Sequence, residues 1–248
     1  MNDDTLQFEN NCKQEIEKMK HTPSLKDKSF SYLNEITRHN YCYHFKWLGM
    51  PIIQYPQDII AMQELIFDIK PDFIVETGIA RGGSLVFYSS MLELLGGDNK
   101  KVIGVDIDIR PHNRTRIESH PLYKNICLIE GDATHEGVIQ QIDEIIAANG
   151  LKKGLVVLDS MHTHDHVLKE LRLYNKYVKS GSYLVVFDTI VEYLDEDNIN
   201  NRPWRKGDNP LTAVTAFLQE NDRFVIDEEI ESKLLVTVCP SGYLKCIK

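Results

Sequence analysis

Much that would narrow the function quickly is missing from this chain. Cysteine is scarce, with Cys12, Cys42, Cys127, Cys239 and Cys246 in 248 residues, and no two stand as C-x-x-C. An odd count without that spacing argues against a zinc knuckle or a disulfide framework and fits reduced thiols in the cytoplasm. Basic residues are outnumbered, 28 Lys and Arg against 37 Asp and Glu, for a formal net charge of −9. Nucleic acid and anionic membrane are therefore not expected as main partners, since binding phosphates calls for a basic face. No apolar run approaches a membrane span, and a signal peptide is not expected from the polar, acidic stretch MNDDTLQFENN. No G-x-x-x-x-G-K-[ST] loop occurs, which argues against a nucleoside triphosphate, and no complete G-x-G-x-x-G. The triplets H-x-D and H-x-E, common in iron sites of two histidines and one carboxylate, are absent as well.

What is present is an alternation. Residues 1 to about 45 are polar with weak helical periodicity, and a helical extension is expected over residues 1–50, with one domain over 51–248. WLGMPIIQYPQD, with two prolines and a glycine, reads as a loop lying over something. IIAMQELIFDIK is a helix stopped before Pro71. Short apolar strands then alternate with helices: DFIVET, KVIGVDID, NICLIEGDA, GLVVLDS and SYLVVFDT. A polar insertion over about 190–210 and the helix LTAVTAFLQEN follow. FVIDEEI and LLVTVCPSGYLKCI are expected as antiparallel strands with no helix between them. This order predicts an α/β fold, a mostly parallel sheet with helices on both faces.

In such a sheet the ligand sits at the carboxyl ends of the strands. Each of five successive strand ends here carries a carboxylate: Glu76, Asp106, Asp132, Asp159 and Asp188. The turn after the first strand, TGIARGGS, holds Gly78, Arg81, Gly82 and Ser84, with Ala80 where a dinucleotide loop has its second glycine. A carboxylate at that strand end suits a cationic ligand better than a pyrophosphate, and S-adenosylmethionine fits. Asp106, or in its place Asp108, can then take the ribose hydroxyls. Asp132 can take the adenine amino group, with Ala133 beside the ring. In LDSMHTHDHVLKEL, His162 and His166 are four apart and share a helix face if the helix has begun by His162. Asp159 and Asp188 on adjacent strand ends can hold Mg²⁺ or Mn²⁺. A neutral histidine, His162 or His166, beside Asp159, can accept the proton of an attacking hydroxyl.

WLGMPIIQYPQD, PDFIVETGIARGGSLVFYSSMLELLG, KVIGVDIDIRPHNRTRIESHP, LDSMHTHDHVLKELRLY, GSYLVVFDT and RPWRKGDNPLTAV together resemble the cephalosporin hydroxylase family, which includes rhamnosyl O-methyltransferases. The resemblance spans about residues 45 to 225. It implies the class I methyltransferase Rossmann-like fold, with seven strands in the order 3-2-1-4-5-7-6 and the seventh antiparallel. It also implies an S-adenosylmethionine cofactor and a metal at Asp159 and Asp188. Family members often have an acidic residue just before the second aspartate. This chain has Phe187, which leaves a water, a histidine or no metal at all as alternatives.

The expected activity is O-methylation of a sugar hydroxyl, on a sugar nucleotide, a surface glycan or a glycolipid. Tailoring of a small metabolite by hydroxylation or methylation is one alternative, and a non-catalytic S-adenosylmethionine-binding subunit is another. A dehydrogenase is disfavoured by the incomplete glycine fingerprint. Arg81, Arg110, His112, Arg114, Arg202 and Arg205 can together receive a pyrophosphate. PWRKGDNP is a candidate lid whose Trp204 can stack on a sugar or base. Trp47, Gln54, Tyr55, Gln57 and Asp58 are candidates for the facing wall. The N-terminal segment is a candidate interface for a homo-oligomer.

Overall fold

The computed structural model describes residues 3–199 and 201–248; Met1, Asn2 and Asn200 lie outside the described residues, so the start of the expected extension does too. Two helices open the chain, α1 (Asp3–Lys20) and α2 (Pro23–Thr37). α2 is anchored by buried Leu33 and by the Asn34 amide, which donates to Tyr193 O at 3.0 Å.

The stretch expected as a loop contains a small hairpin. β1 (Phe45–Trp47) and β2 (Met50–Ile52) pair antiparallel. The turn residues Leu48 and Gly49 both have positive φ, 44° and 86°. Two such residues in a row give the tight turn whose twist suits a hairpin. The hairpin crosses the expected boundary at residue 50. Trp47 and Tyr55, candidates for the cavity wall, instead support packing. Trp47 meets the Phe87 ring edge-on at 4.8 Å and donates to Ser90 Oγ at 3.0 Å, and Tyr55 is buried.

After α3 (Pro56–Ile69) comes the main alternation: β3 (Phe73–Thr77), α4 (Gly83–Leu94), β4 (Lys101–Asp106), α5 (Pro111–Glu118), β5 (Ile126–Glu130), α6 (Glu136–Ala148), β6 (Gly154–Leu158), α7 (His164–Tyr174) and β7 (Tyr183–Val186). α8 (Glu196–Ile199), α9 (Pro210–Glu220), β8 (Phe224–Ile226), α10 (Glu228–Leu234) and β9 (Tyr243–Cys246) complete the chain. The sheet order is β5-β4-β3-β6-β7-β9-β8. Counted along the chain within this sheet, that is the expected 3-2-1-4-5-7-6. β9 is antiparallel to both its neighbours.

The chain end differs from expectation. α10 stands between β8 and β9, and Leu235–Ser241 is irregular rather than extended. Its Val238 and Cys239 are nonetheless buried. The apolar run LLVTVC imitates a strand because it lines a core, while its backbone bonds go to side chains and to scattered backbone groups rather than to a ladder.

Alternate strand residues feed two cores. Ile74, Leu155, Val157 and Val185 face one layer; Val75, Val156, Leu158 and Val186 face the other. Strands buried on both faces must be apolar throughout, which leaves their carboxyl ends as the place for polar residues.

Candidate active site

The turn after β3 is held by backbone contacts. Gly78 has φ +82°, and a Cβ there would lie 2.0 Å from Asp159 O, so the loop sits directly on the β6 end. Ala80, at the position of the missing second glycine, takes φ 45°. Its N–H reaches Asp106 Oδ2 at 3.2 Å, alongside the Ile79 N–H at 3.0 Å, and its C=O accepts from Asn113 Nδ2 at 3.0 Å. A left-handed conformation at a non-glycine persists only where neighbours enforce it.

A cavity of about 620 Å³ opens at this rim. Gly78, Asp106, Asp132, Ala133 and Asp159 line it, with His162, His166 and Asp188. The other residues expected to bind the cofactor do not. Glu76 is fully buried beneath the loop, where it accepts from Ser84 Oγ at 2.6 Å. Burial pushes its carboxyl up to about 8, against the opposing pull of the Ser84 and Tyr88 hydroxyls. Glu76 and Ser84 are thus bonded to each other at the start of α4, outside the lining of the cavity. Gly82 is the N-cap of α4 and packs on Ile117. Arg81 and Asp108 are exposed on the outer side, Asp108 being 3.9 Å from Arg110.

Asp106 accepts three backbone N–H bonds, from Ile79, Ala80 and Asp108. A carboxylate has about four lone-pair sites, so its remaining capacity is small. Asp132 Oδ1 accepts from Thr134 N at 2.7 Å and Thr134 Oγ1 at 2.8 Å, which holds its carboxyl below the usual range. Among the described residues its Oδ2 has no hydrogen-bond partner. A cavity of this size suits a ligand such as S-adenosylmethionine. Its carboxylates favour a cationic one, and Asp132 Oδ2 is open to an amino donor.

The other end of the cavity is acidic. Ligand atoms of Asp159, His162 and Asp188 all lie within 4.8 Å of one another. His162 Nε2 is 3.1 Å from Asp188 Oδ2. Asp159 Oδ2 accepts from Gln54 Nε2 at 3.2 Å. Burial first, and then the charge of Asp188, pushes the Asp159 carboxyl well above its ordinary value. No lysine or arginine among the described residues pairs with either carboxylate. Two oxygen donors and one imidazole, short of positive charge, fit Mg²⁺ or Mn²⁺.

The two expected histidines part company. α7 begins at His164, so His162 precedes the helix and shares no face with His166. His166 Nε2 lies 3.1 Å from Ser160 Oγ and 3.6 Å from Glu170 Oε1. Glu170 is fully buried and accepts from Ser160 Oγ at 2.7 Å. Its carboxylate raises the pKa of His166. His166 thus belongs to a Ser160–Glu170 cluster beside Asp132, away from the acidic group. The spacing from His166 to Glu170, four residues on a helix, was the sequence signal for this contact. His164 braces the insertion: its N–H reaches Asp208 Oδ1 at 2.9 Å and its Nδ1 is 2.8 Å from Thr212 Oγ1.

Of the six basic residues expected at the rim, Arg202 lines the cavity and the others do not. Arg114 is held by Glu130 at 2.9 Å and Glu118 at 3.5 Å. Trp204 meets the His162 ring edge-on at 4.6 Å, and Arg202 stacks on Trp204 at 5.3 Å. Of the facing wall, Gln54 reaches the cavity, while Gln57 and the fully buried Asp58 do not.

Comparison with known proteins agrees with this architecture. The model of the Rhamnosyl O-methyltransferase/CmcI family matches residues 39–247. The rhamnosyl O-methyltransferase of Mycobacterium tuberculosis is 29% identical over 203 residues, covering 80% of this chain and 76% of its own. That of Mycobacterium leprae is 28% identical over 204 residues, covering 80% and 81%. Among solved structures, apo CmcI superposes with a TM-score of 0.60 at 18% identity over 83% of this chain and 77% of its own. An O-methyltransferase from Bacillus cereus in complex with SAH gives 0.52 at 14% identity over 89% and 91%. With the sheet order, these likenesses identify the class I methyltransferase fold. The chain belongs to the Rhamnosyl O-methyltransferase/CmcI family.

Proposed function

We propose that this S-adenosylmethionine-dependent O-methyltransferase methylates a sugar hydroxyl at the acidic end of its cavity, with Asp159 and Asp188 holding a divalent cation. The observation that carries this reading is the juxtaposition of an open cavity at the strand ends with Asp159, His162 and Asp188, whose ligand atoms lie within 4.8 Å of one another. The relatives' printed activity on a rhamnosyl group supports a sugar acceptor. Arg202, the basic side chain lining the cavity among the described residues, supports an acceptor carrying phosphate, such as a sugar nucleotide.

Asp132 Oδ2 accepts from the donor's adenine amino group and Asp106 from its ribose, while the Gly78 turn lets the ligand approach the backbone. Trp204 and Arg202 cover the acceptor. When bound, the cation lowers the pKa of a nearby hydroxyl and orients it. With Nε2–H donated to Asp188 at 3.1 Å, His162 has Nδ1 left to accept the hydroxyl's proton as the oxygen attacks the methyl group and the sulfur–methyl bond breaks, releasing S-adenosylhomocysteine. Asp188 then faces an imidazolium, so the charge formed on the base is paired where it forms. The cluster holds two carboxylates and one histidine. That is the inverse of the iron-oxygenase triad, and it favours methyl transfer over hydroxylation.

The test begins with calorimetric titration of the full chain with S-adenosylhomocysteine, with and without Mg²⁺, and with NAD⁺ as control. Micromolar binding of S-adenosylhomocysteine alone is expected, followed by methyl transfer to a deoxythymidine or uridine diphosphate sugar. Binding of NAD⁺ in its place would overturn the donor assignment. Transfer to neutral glycosides but not to nucleotide sugars would overturn the role given to Arg202.

A further inference from the structure

Asp58, on the first turn of α3, is fully buried and outside the cavity, yet its side-chain hydrogen bonds go to residues about 180 positions later, two in the irregular segment and one at the start of β9. It accepts from Thr237 Oγ1, from Val238 N at 3.0 Å and from Tyr243 Oη at 2.7 Å. Thr237 Oγ1 in turn accepts from Cys239 N at 2.9 Å. The segment so gathered is irregular, and a buried irregular backbone keeps its shape only when side chains supply its missing partners.

That segment grips the chain next to Asp188. Val238 C=O accepts from Ile190 N at 3.2 Å, and Pro240 C=O accepts from Thr189 Oγ1 at 2.7 Å. Asp188 itself has φ 57° and ψ 22°, the left-handed conformation. An aspartate keeps that conformation when its surroundings over-determine it, and here it turns the carboxylate toward His162.

We propose that Asp58 is a positioning residue for Asp188: by fixing residues 237–240 it locks the left-handed turn that aims the Asp188 carboxylate into the acidic cluster. The proposal rests on reading Asp159 and Asp188 as a cation site, with His162 beside them. It assigns a role to a carboxylate that touches neither donor nor acceptor. The chain of contact runs from α3, through the Val238 backbone, to the residues immediately after Asp188.

The test is Mn²⁺ binding to the full chain by electron paramagnetic resonance, with S-adenosylhomocysteine affinity measured by calorimetry on the same samples. Asp58→Asn places an amide hydrogen where a donor now points. Tyr243→Phe and Thr237→Val each remove one donor with little change in shape and carry the test if Asp58→Asn fails to fold. Residues supporting a metal ligand typically contribute about 10-fold or more in metal affinity. Mn²⁺ affinity is expected to fall by about that factor in Asp58→Asn and by less in Tyr243→Phe and Thr237→Val, with S-adenosylhomocysteine affinity within about twofold of the parent. Unchanged Mn²⁺ affinity in the folded variants would overturn the proposal while leaving the cation site standing. Parallel loss of both affinities would mean general loosening, and would overturn it too. A parent protein that binds no Mn²⁺ would remove the cation site and this proposal together.

Discussion

The two ends of the cavity treat their carboxylates differently. At the end proposed to bind the donor, Asp106 accepts three backbone N–H bonds and Asp132 accepts two bonds from Thr134. These carboxylates are wired into the protein before any ligand arrives. At the other end Asp159 receives one long bond from Gln54, and Asp188 is met by His162. The Asp159 carboxyl is pushed up where the Asp132 carboxyl is held down. One end, proposed to bind the donor, has its carboxylates fixed by hydrogen bonds, and the other, proposed to hold the cation, is short of positive charge. Hydrogen bonds to the charged form lower a carboxyl's pKa, while burial beside a like charge raises it.

The largest effect is expected from breaking the acidic end alone. His162→Gln is expected to lower kcat by about 10²–10⁴-fold, the usual contribution of a positioned base. Affinity for S-adenosylhomocysteine should stay within about twofold. His166→Gln should behave in the opposite sense, weakening the donor while sparing kcat at saturation. Steady-state kinetics beside calorimetry separates the two; a kcat loss confined to His166→Gln would reverse the assignment.

Glu76 is the exception on the donor side and supplies the next test. It is a fully buried carboxyl raised from 4.5 to about 8. The folded state holds its proton more tightly than the unfolded chain does. Its contribution to stability is therefore full below about pH 4.5 and is lost as pH rises through about 8. Glu76→Gln should flatten that fall, by an amount on the order of a few kcal/mol between the two limits. Urea denaturation of both proteins at pH 5 and pH 8.5 measures it. Equal slopes would mean that Glu76 ionises in the fold as freely as in the unfolded chain.

A smaller effect belongs to Asp132. Asp132→Asn removes a charged acceptor, and hydrogen bonds to charged groups contribute about 1.5–3 kcal/mol. Roughly 10- to 100-fold weaker S-adenosylhomocysteine binding is expected from that range, with Mn²⁺ binding unchanged. Coupled loss of both would erase the distinction between the two ends.

The sheet and its rim were legible because β3 to β7 are apolar on both faces, so each run ends abruptly in a polar residue. What was not legible depends on contacts far along the chain. His162 and His166 look like one helical pair, but Asp208, 44 residues away, receives the His164 N–H at the start of α7. Leu235–Ser241 has the composition of a strand, but Asp58, 180 positions earlier, bonds to Val238 N. The hairpin at residues 45–52 was hidden by a leucine in a conformation that leucine seldom adopts. Glu76, at a strand end like the others, points below the loop rather than into the cavity, and strand position alone does not say which.

The smallest prediction concerns Ala80, where a glycine was missing from the fingerprint. The structure keeps the glycine-like backbone there, φ 45°, and braces it with the Asp106 carboxylate and the Asn113 amide. A left-handed residue bearing a Cβ costs about 1–2 kcal/mol. A glycine would remove that strain but would add freedom to the unfolded chain, worth about 0.4–1 kcal/mol in the other direction. Ala80→Gly should therefore stabilise the protein by at most about 1.6 kcal/mol, a rise of no more than roughly 3–6 °C in Tm for a chain of this size. Ala80→Val should lower it. Donor affinity should hardly move in Ala80→Gly, because the brace already fixes the turn. A thermal melt with and without S-adenosylhomocysteine distinguishes the outcomes. A lower Tm for Ala80→Gly would mean that the methyl group stabilises the turn through contacts that outweigh its strain, and that the donor end is held by packing as much as by hydrogen bonds.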